Sequence, residues 1–160
     1  MSGRYRLWQC VSVAACLVAA LVAALVALAG CRKAPQRPAV MINGKRWFVE
    51  LAMTPQQRFV GMAGRSEVAP DAGMLFIYRD SAVLDFCMRG CLIPLDIAFL
   101  DGNRRVVQTA TMAVEPDGVG RIAYSSQVPA KYALEVAAGA LAAAGVKVGD
   151  EAVFIGDIPR

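Results

Sequence analysis

Between residues 40 and 155 the apolar residues come in short runs, each broken by Gly, Pro, Asn or Asp. That spacing predicts strands joined by turns rather than long helices. Val40-Met41-Ile42 and Arg46–Leu51 flank Asn43-Gly44, a pair whose two residues both tolerate positive φ, so a hairpin is expected there. Thr54-Pro55-Gln56-Gln57 reads as a helix start, with Thr54 as N-cap, Pro55 first in the helix and Gln57 closing a capping box. This helix should run to about Met62 with Phe59 and Met62 on one face. Gly73–Tyr78, Ala82–Met88, Leu95–Leu100, Arg105–Met112 and Tyr132–Val136 read as strands, and Arg121–Ser125 is a weaker one. Ala138–Ala144 is an Ala-rich helix stopped by Gly145, and a last strand ends near Ile155. The sum is a mainly-β, compact single domain, a sandwich or barrel-like fold with one or two short helices.

The richest stretch is Phe86–Asp101. It holds Cys87, Met88, Arg89, Gly90, Cys91, Pro94 and Asp96 within the most apolar part of the domain. The pattern predicts a strand, a tight turn at Met88-Arg89-Gly90 and a second strand.

The N-terminus has a different pattern. Arg4 and Arg6 precede an uncharged Ala/Val/Leu run from Val11 to Ala29, closed by Leu28-Ala29-Gly30-Cys31. This resembles a lipoprotein export signal, in which the cysteine is acylated and becomes the mature N-terminus. Residues 1–30 are then the signal peptide, 31–39 the lipidated Cys31 with its tether, and 40–160 the folded domain. The expected partner is the membrane, through Cys31, and the expected location is the bacterial cell envelope, outside the cytoplasm. An uncleaved membrane anchor is the alternative, since the run at ~1.5 Å per residue just reaches across a bilayer core.

Composition changes this picture in two places. The net charge of +4 comes from the leader and tether. Without Arg4, Arg6, Arg32, Lys33 and Arg37, residues 40–160 carry 12 Lys+Arg against 13 Asp+Glu. Nothing there predicts binding to nucleic acid. The chain has no histidine, which removes His-based acid–base catalysis and the usual zinc and copper ligand sets, and no cofactor is expected.

Of five cysteines, Cys10 and Cys16 fall in the leader and Cys31 is the acylation site, leaving Cys87 and Cys91. Along a continuous strand they would lie ~13 Å apart, too far to bridge. A reversal at Met88–Gly90 would bring them within the ~4.4–6.8 Å a disulfide requires. Two small buried thiols, a redox-active pair and a Cu(I) site with Met88 are the alternatives. Asp96 lies among apolar residues and must be paired, hydrogen-bonded or exposed, with Arg58, Arg65 and Arg89 as candidate cations. Glu135, inside Tyr132–Val136, poses the same question, and a paired-carboxylate site would follow if the two acids faced each other.

Several pieces, in order, carry a family resemblance: Phe48-Val49-Glu50-Leu51, Thr54 with Arg58 and Gly61-Met62, Gly73–Phe76, Met88-Arg89, Leu92–Asp101, Leu134-Glu135 and Val148-Gly149-Asp150. Together they resemble the domain of unknown function 192 family over roughly residues 40–156. The resemblance implies a compact mainly-β domain, often exported or membrane-tethered, and brings no activity with it. The family commonly has an aromatic, usually Trp, where this chain has Cys87, and often Asn-Thr at Gly90-Cys91. Asp96 matches the family pattern. The expected function is a non-catalytic module binding a small molecule, polysaccharide or protein. An enzyme using Asp96 with Glu135 or an arginine, and a thiol or copper protein through Cys87 and Cys91, are the competing readings.

Overall fold

The structure, a computed structural model, describes residues 36–159. The expected signal peptide, Cys31 and most of the expected tether lie outside the described residues. Among the described residues no helix is long and apolar enough to cross a membrane.

β1 (Ala39–Ile42) and β2 (Lys45–Ala52) form the expected hairpin. Asn43 (φ 51°) and Gly44 (φ 79°) make the turn, the two-residue geometry that matches strand twist. α1 (Pro55–Val60) follows with the full capping box. Gln57 N–H donates to Thr54 Oγ1, and the Gln57 side chain accepts from the Thr54 backbone. The helix ends sooner than expected, at a C-cap on Gly61, and buries no residue of its own. Met62, just past it, is buried, while Phe59 is 62% exposed, so the two do not share one core face.

β3 (Ala72–Ala82), β5 (Leu95–Leu100), β6 (Val106–Met112), β8 (Ala130–Ala137) and β9 (Val153–Ile155) complete a seven-stranded sheet in the order β6-β5-β8-β3-β2-β1-β9. Only β2 and β3 pair in parallel, with α1 in their connection. The sheet curls into a half-barrel, so the mainly-β class takes the barrel-like form. α2 (Ala140–Ala143) is one turn, shorter than the Ala-rich run suggested.

The second difference is larger. The strands expected at 82–88 and 121–125 shrink to β4 (Asp85–Phe86) and β7 (Tyr124–Ser125), which pair only with each other. β4 and β5 do not form a hairpin with each other. β5 pairs with β6 and β8, so the chain after β4 must cross to the central sheet through residues 87–94.

The central strands are buried on both faces, and alternation sorts their residues into two cores. Val40, Trp47, Leu75, Ala98, Tyr132 and Leu134 fill one face. Met74, Phe76, Met88, Ile97, Phe99 and Ala133 fill the other. Each large apolar side chain removed from water contributes about 1.5–3 kcal/mol, so both faces are needed to hold a single curled sheet.

Candidate functional site

β8 carries Tyr132, Leu134 and Val136 to the first core and Ala133 to the second. Period-two alternation therefore sends Glu135 to the second face. Its cross-strand neighbours are Met74 on β3 and Ile97 on β5, neither able to donate a hydrogen bond. Glu135 is 4% exposed, and among the described residues no group hydrogen-bonds its carboxylate. Burial pushes its pKa up to about 8, with Arg65 pulling weakly the other way. At neutral pH it is mostly a neutral acid with a proton to donate.

Asp96 sits one strand away on β5, opposite Val136, and points to the first face. It is 2% exposed and both its oxygens are engaged. Thr111 Oγ1, its cross-strand partner on β6, donates to Oδ1 at 2.8 Å. The Leu141 N–H, in the first turn of α2, donates to Oδ2 at 3.0 Å. The two acids do not face each other, so the paired-carboxylate arrangement is not formed. Asp96 instead ties α2 to the sheet.

Glu135 opens onto a pocket of about 190 Å³ whose walls come from α1, β3, β4 and the turn after β4. Phe76 and Phe86 meet edge to face at 4.8 Å, and Phe86 meets Phe99 the same way at 5.6 Å. Arg58, from α1, donates to the carbonyls of Met53 and Ile77 and lies 4.6 Å over the Tyr78 ring. Arg89 donates to the Phe59 carbonyl at 2.9 Å and lies 3.9 Å over the Phe59 ring. Neither arginine pairs with a carboxylate among the described residues. Arg65, the third candidate cation, is held by Glu50 at 2.7 and 2.8 Å.

Three loops are stitched together at Gly90. Its N–H donates to Gly118 O at 2.9 Å, and its carbonyl accepts from the Gly64 N–H at 2.8 Å. The loop carrying Gly118 is itself shaped by Glu115, whose carboxylate accepts from the N–H groups of Gly120, Arg121 and Ile122. Those three donors lower the Glu115 pKa. Gly120 then lies against Arg89 and Cys87 so closely that a Cβ there would meet Arg89 at 2.8 Å and Cys87 Sγ at 2.9 Å.

Cys87 and Cys91 both line the pocket, and both are free thiols. The turn expected between them is present, with Cys91 N–H donating to Met88 O at 3.1 Å. The disulfide is not. The strands flanking the turn pair elsewhere, Cys91 is packed into the second core, and Cys87 Sγ lies against Gly120. Burial and the neighbouring Glu135 push the Cys91 thiol up to about 11, which makes it a poor nucleophile. Among the described residues no cluster of three or more Cys, Asp or Glu could hold a metal ion.

Arg58, Arg89, Glu135, Cys87 and Cys91 thus share one pocket, while Asp96 lies across the sheet. The aromatic walls, Phe59, Phe76, Tyr78 and Phe86, went unmarked in the sequence because each also reads as ordinary core. The charged and thiol side chains among them, Glu135, Arg58, Arg89, Cys87 and Cys91, carried the signal.

A family model, DUF192, described as Uncharacterized ACR, matches residues 39–154. A protein from Sinorhizobium meliloti 1021, provisionally described as a transcription regulator, has a similar crystal structure: TM-score 0.68 and 26% identity, covering 77% of this chain and 97% of its own. A protein of unknown function from Novosphingobium aromaticivorans DSM 12444 gives TM-score 0.67 and 28% identity, covering 72% and 83%. No curated protein matches the chain.

Proposed function

The chain belongs to the DUF192 family, and from that membership together with the Glu135 pocket we propose that it is a lipid-anchored envelope protein whose domain binds a small ligand without transforming it. Glu135 carries this reading. A carboxyl group that is 4% exposed, with no protein hydrogen bond among the described residues and only the pocket to face, costs stability, and an apolar residue there would be cheaper. The cost is recovered if a ligand supplies the missing partner.

The anchor rests on the leader and Leu28-Ala29-Gly30-Cys31. Val49 N–H donates to Pro38 O at 2.9 Å, and Arg37 lies 4.8 Å over the Phe48 ring, so the domain begins close after Cys31. The residues between Cys31 and Gln36 reach roughly 17 Å at full extension, which would hold the domain near the bilayer surface. The regulator description of the Sinorhizobium protein is not carried over. With 12 Lys+Arg against 13 Asp+Glu, residues 40–160 have no charge excess to hold a phosphate backbone.

The proton held on Glu135 near neutral pH also favours a second reading, acid catalysis by Glu135 beside Arg58 or Arg89. Two measurements decide. Cells grown on labelled palmitate should tag the wild-type chain and leave Cys31→Ala untagged; an untagged wild type removes the anchor. Native mass spectrometry of the full chain taken from envelopes should show a small bound mass, reduced in Glu135→Gln. Turnover of an envelope extract that stops in Glu135→Gln would instead establish the catalytic reading.

A further inference from the structure

The charges around the pocket narrow the ligand's chemistry. On α1, Arg58 uses one guanidinium nitrogen for both its carbonyl contacts, and on the turn after β4, Arg89 uses one for Phe59. A guanidinium has five N–H donors, so each keeps donors to spare. Neither has an anionic partner among the described residues. Asp85 on β4 also lines the pocket and offsets one of the two positive charges. Tyr78 on β3 and Cys91 line the same pocket as neutral groups, both held above their usual pKa chiefly by burial. Arg65 acts on Glu135 from the loop after α1 but is already paired with Glu50.

A cation entering this space would meet two guanidinium groups against the single Asp85, and a Glu135 that must first lose its proton. An anion would meet two guanidinium groups and an O–H donor. The walls beside these groups are the flat faces and edges of Phe59, Phe76, Tyr78 and Phe86. Resting on the binding-pocket reading above, we infer that the Glu135 pocket takes a small organic carboxylate with a flat apolar body, with the Glu135 carboxyl and the free donors of Arg58 and Arg89 as the polar groups that line its site.

The pH dependence has a fixed sign. Glu135 loses its proton at about 8. Above that, the donor becomes a second carboxylate that repels the first. At pH 9 only about one-tenth of the protein remains competent, so apparent affinity falls about tenfold from its value at pH 6.5. The arginines stay charged across this range.

The test is calorimetric titration of the full chain in detergent with benzoate and with benzamidine, planar probes of the same size and opposite charge. Benzoate should bind, about tenfold more weakly at pH 9 than at pH 6.5, and Glu135→Gln should bind it with no such dependence. Arg89→Ala should weaken it at both pH values. Benzamidine binding more tightly than benzoate, with affinity rising through pH 8, would overturn the carboxylate inference and leave the pocket a ligand site. Binding of neither probe overturns it too. In that case the titration of the Glu135 carboxyl carbon separates the failures: a midpoint near 8 leaves the binding-pocket reading standing, and an ordinary carboxyl midpoint removes both.

Discussion

Two carboxylates are buried in this sheet to almost the same degree, Asp96 at 2% and Glu135 at 4% exposure. They sit on adjacent strands, one residue out of register, and point to opposite faces. Asp96 has a threonine across from it on β6 and a helix N–H above it. Glu135 has methionine and isoleucine across from it and an open pocket ahead. Burial alone therefore does not assign a role to an acid. The cross-strand neighbours do. Where they donate, the acid is part of the frame; where they are apolar, it is left to a ligand or a proton.

The largest effect expected from this contrast is in stability against pH. The folded pKa of Glu135, about 8, lies above its ordinary value of 4.5. Below about pH 4.5 both the folded and unfolded chains hold the proton. Between 4.5 and 8 only the unfolded chain releases it, so stability falls as pH rises. Above 8 both are ionised and the slope ends. The full loss approaches about 5 kcal/mol. Comparison of wild type with Glu135→Gln by denaturant unfolding from pH 4 to 9 isolates this slope from other groups. Parallel curves would mean that Glu135 finds a partner in solution, and the contrast with Asp96 would disappear.

Next in size is Asp96→Ala. It strands the buried Leu141 N–H and removes two hydrogen bonds to a charged acceptor, costing about 3 kcal/mol. The cost should come with faster amide exchange across Ala140–Ala143, because α2 loses its tie to β5. Benzoate binding by the folded fraction should be unchanged. A stable Asp96→Ala protein that has lost ligand would return Asp96 to the functional candidates.

The fold was legible wherever local chemistry decides. The Asn43-Gly44 turn, the Thr54–Gln57 capping box and Leu95–Leu100 follow from residues a few positions apart. The strand pairing of residues 82–94 was not. Asp85-Phe86 pairs with Tyr124-Ser125, about forty residues away, and no local pattern encodes that choice. The same gap left the site open. Asp96 and Glu135 both look anomalous in the sequence, but which face each takes depends on the register of β5 against β6 and β8. One residue of slip would exchange their environments. Cys87 and Cys91 stayed open between a bridge and two free thiols for a related reason: their spacing permits a bridge across a hairpin, but the flanking strands pair elsewhere.

The smallest effect sharpens the contrast most directly. Thr111 is the residue that makes Asp96 differ from Glu135, because it occupies the cross-strand place that Met74 and Ile97 hold around Glu135. Thr111→Val keeps the β-branched shape and strand preference on β6 and removes only the hydroxyl. Asp96 keeps the Leu141 N–H and loses the 2.8 Å donor. The expected cost is about 1 kcal/mol at neutral pH, the ordinary net value of one hydrogen bond. It should shrink when Asp96 is already Ala, because the hydroxyl then has no carboxylate to serve. A double-mutant cycle over Thr111 and Asp96 measures that coupling. Additive losses would show that Thr111 supports β6 independently, leaving the α2 contact as the whole reason Asp96 is structural.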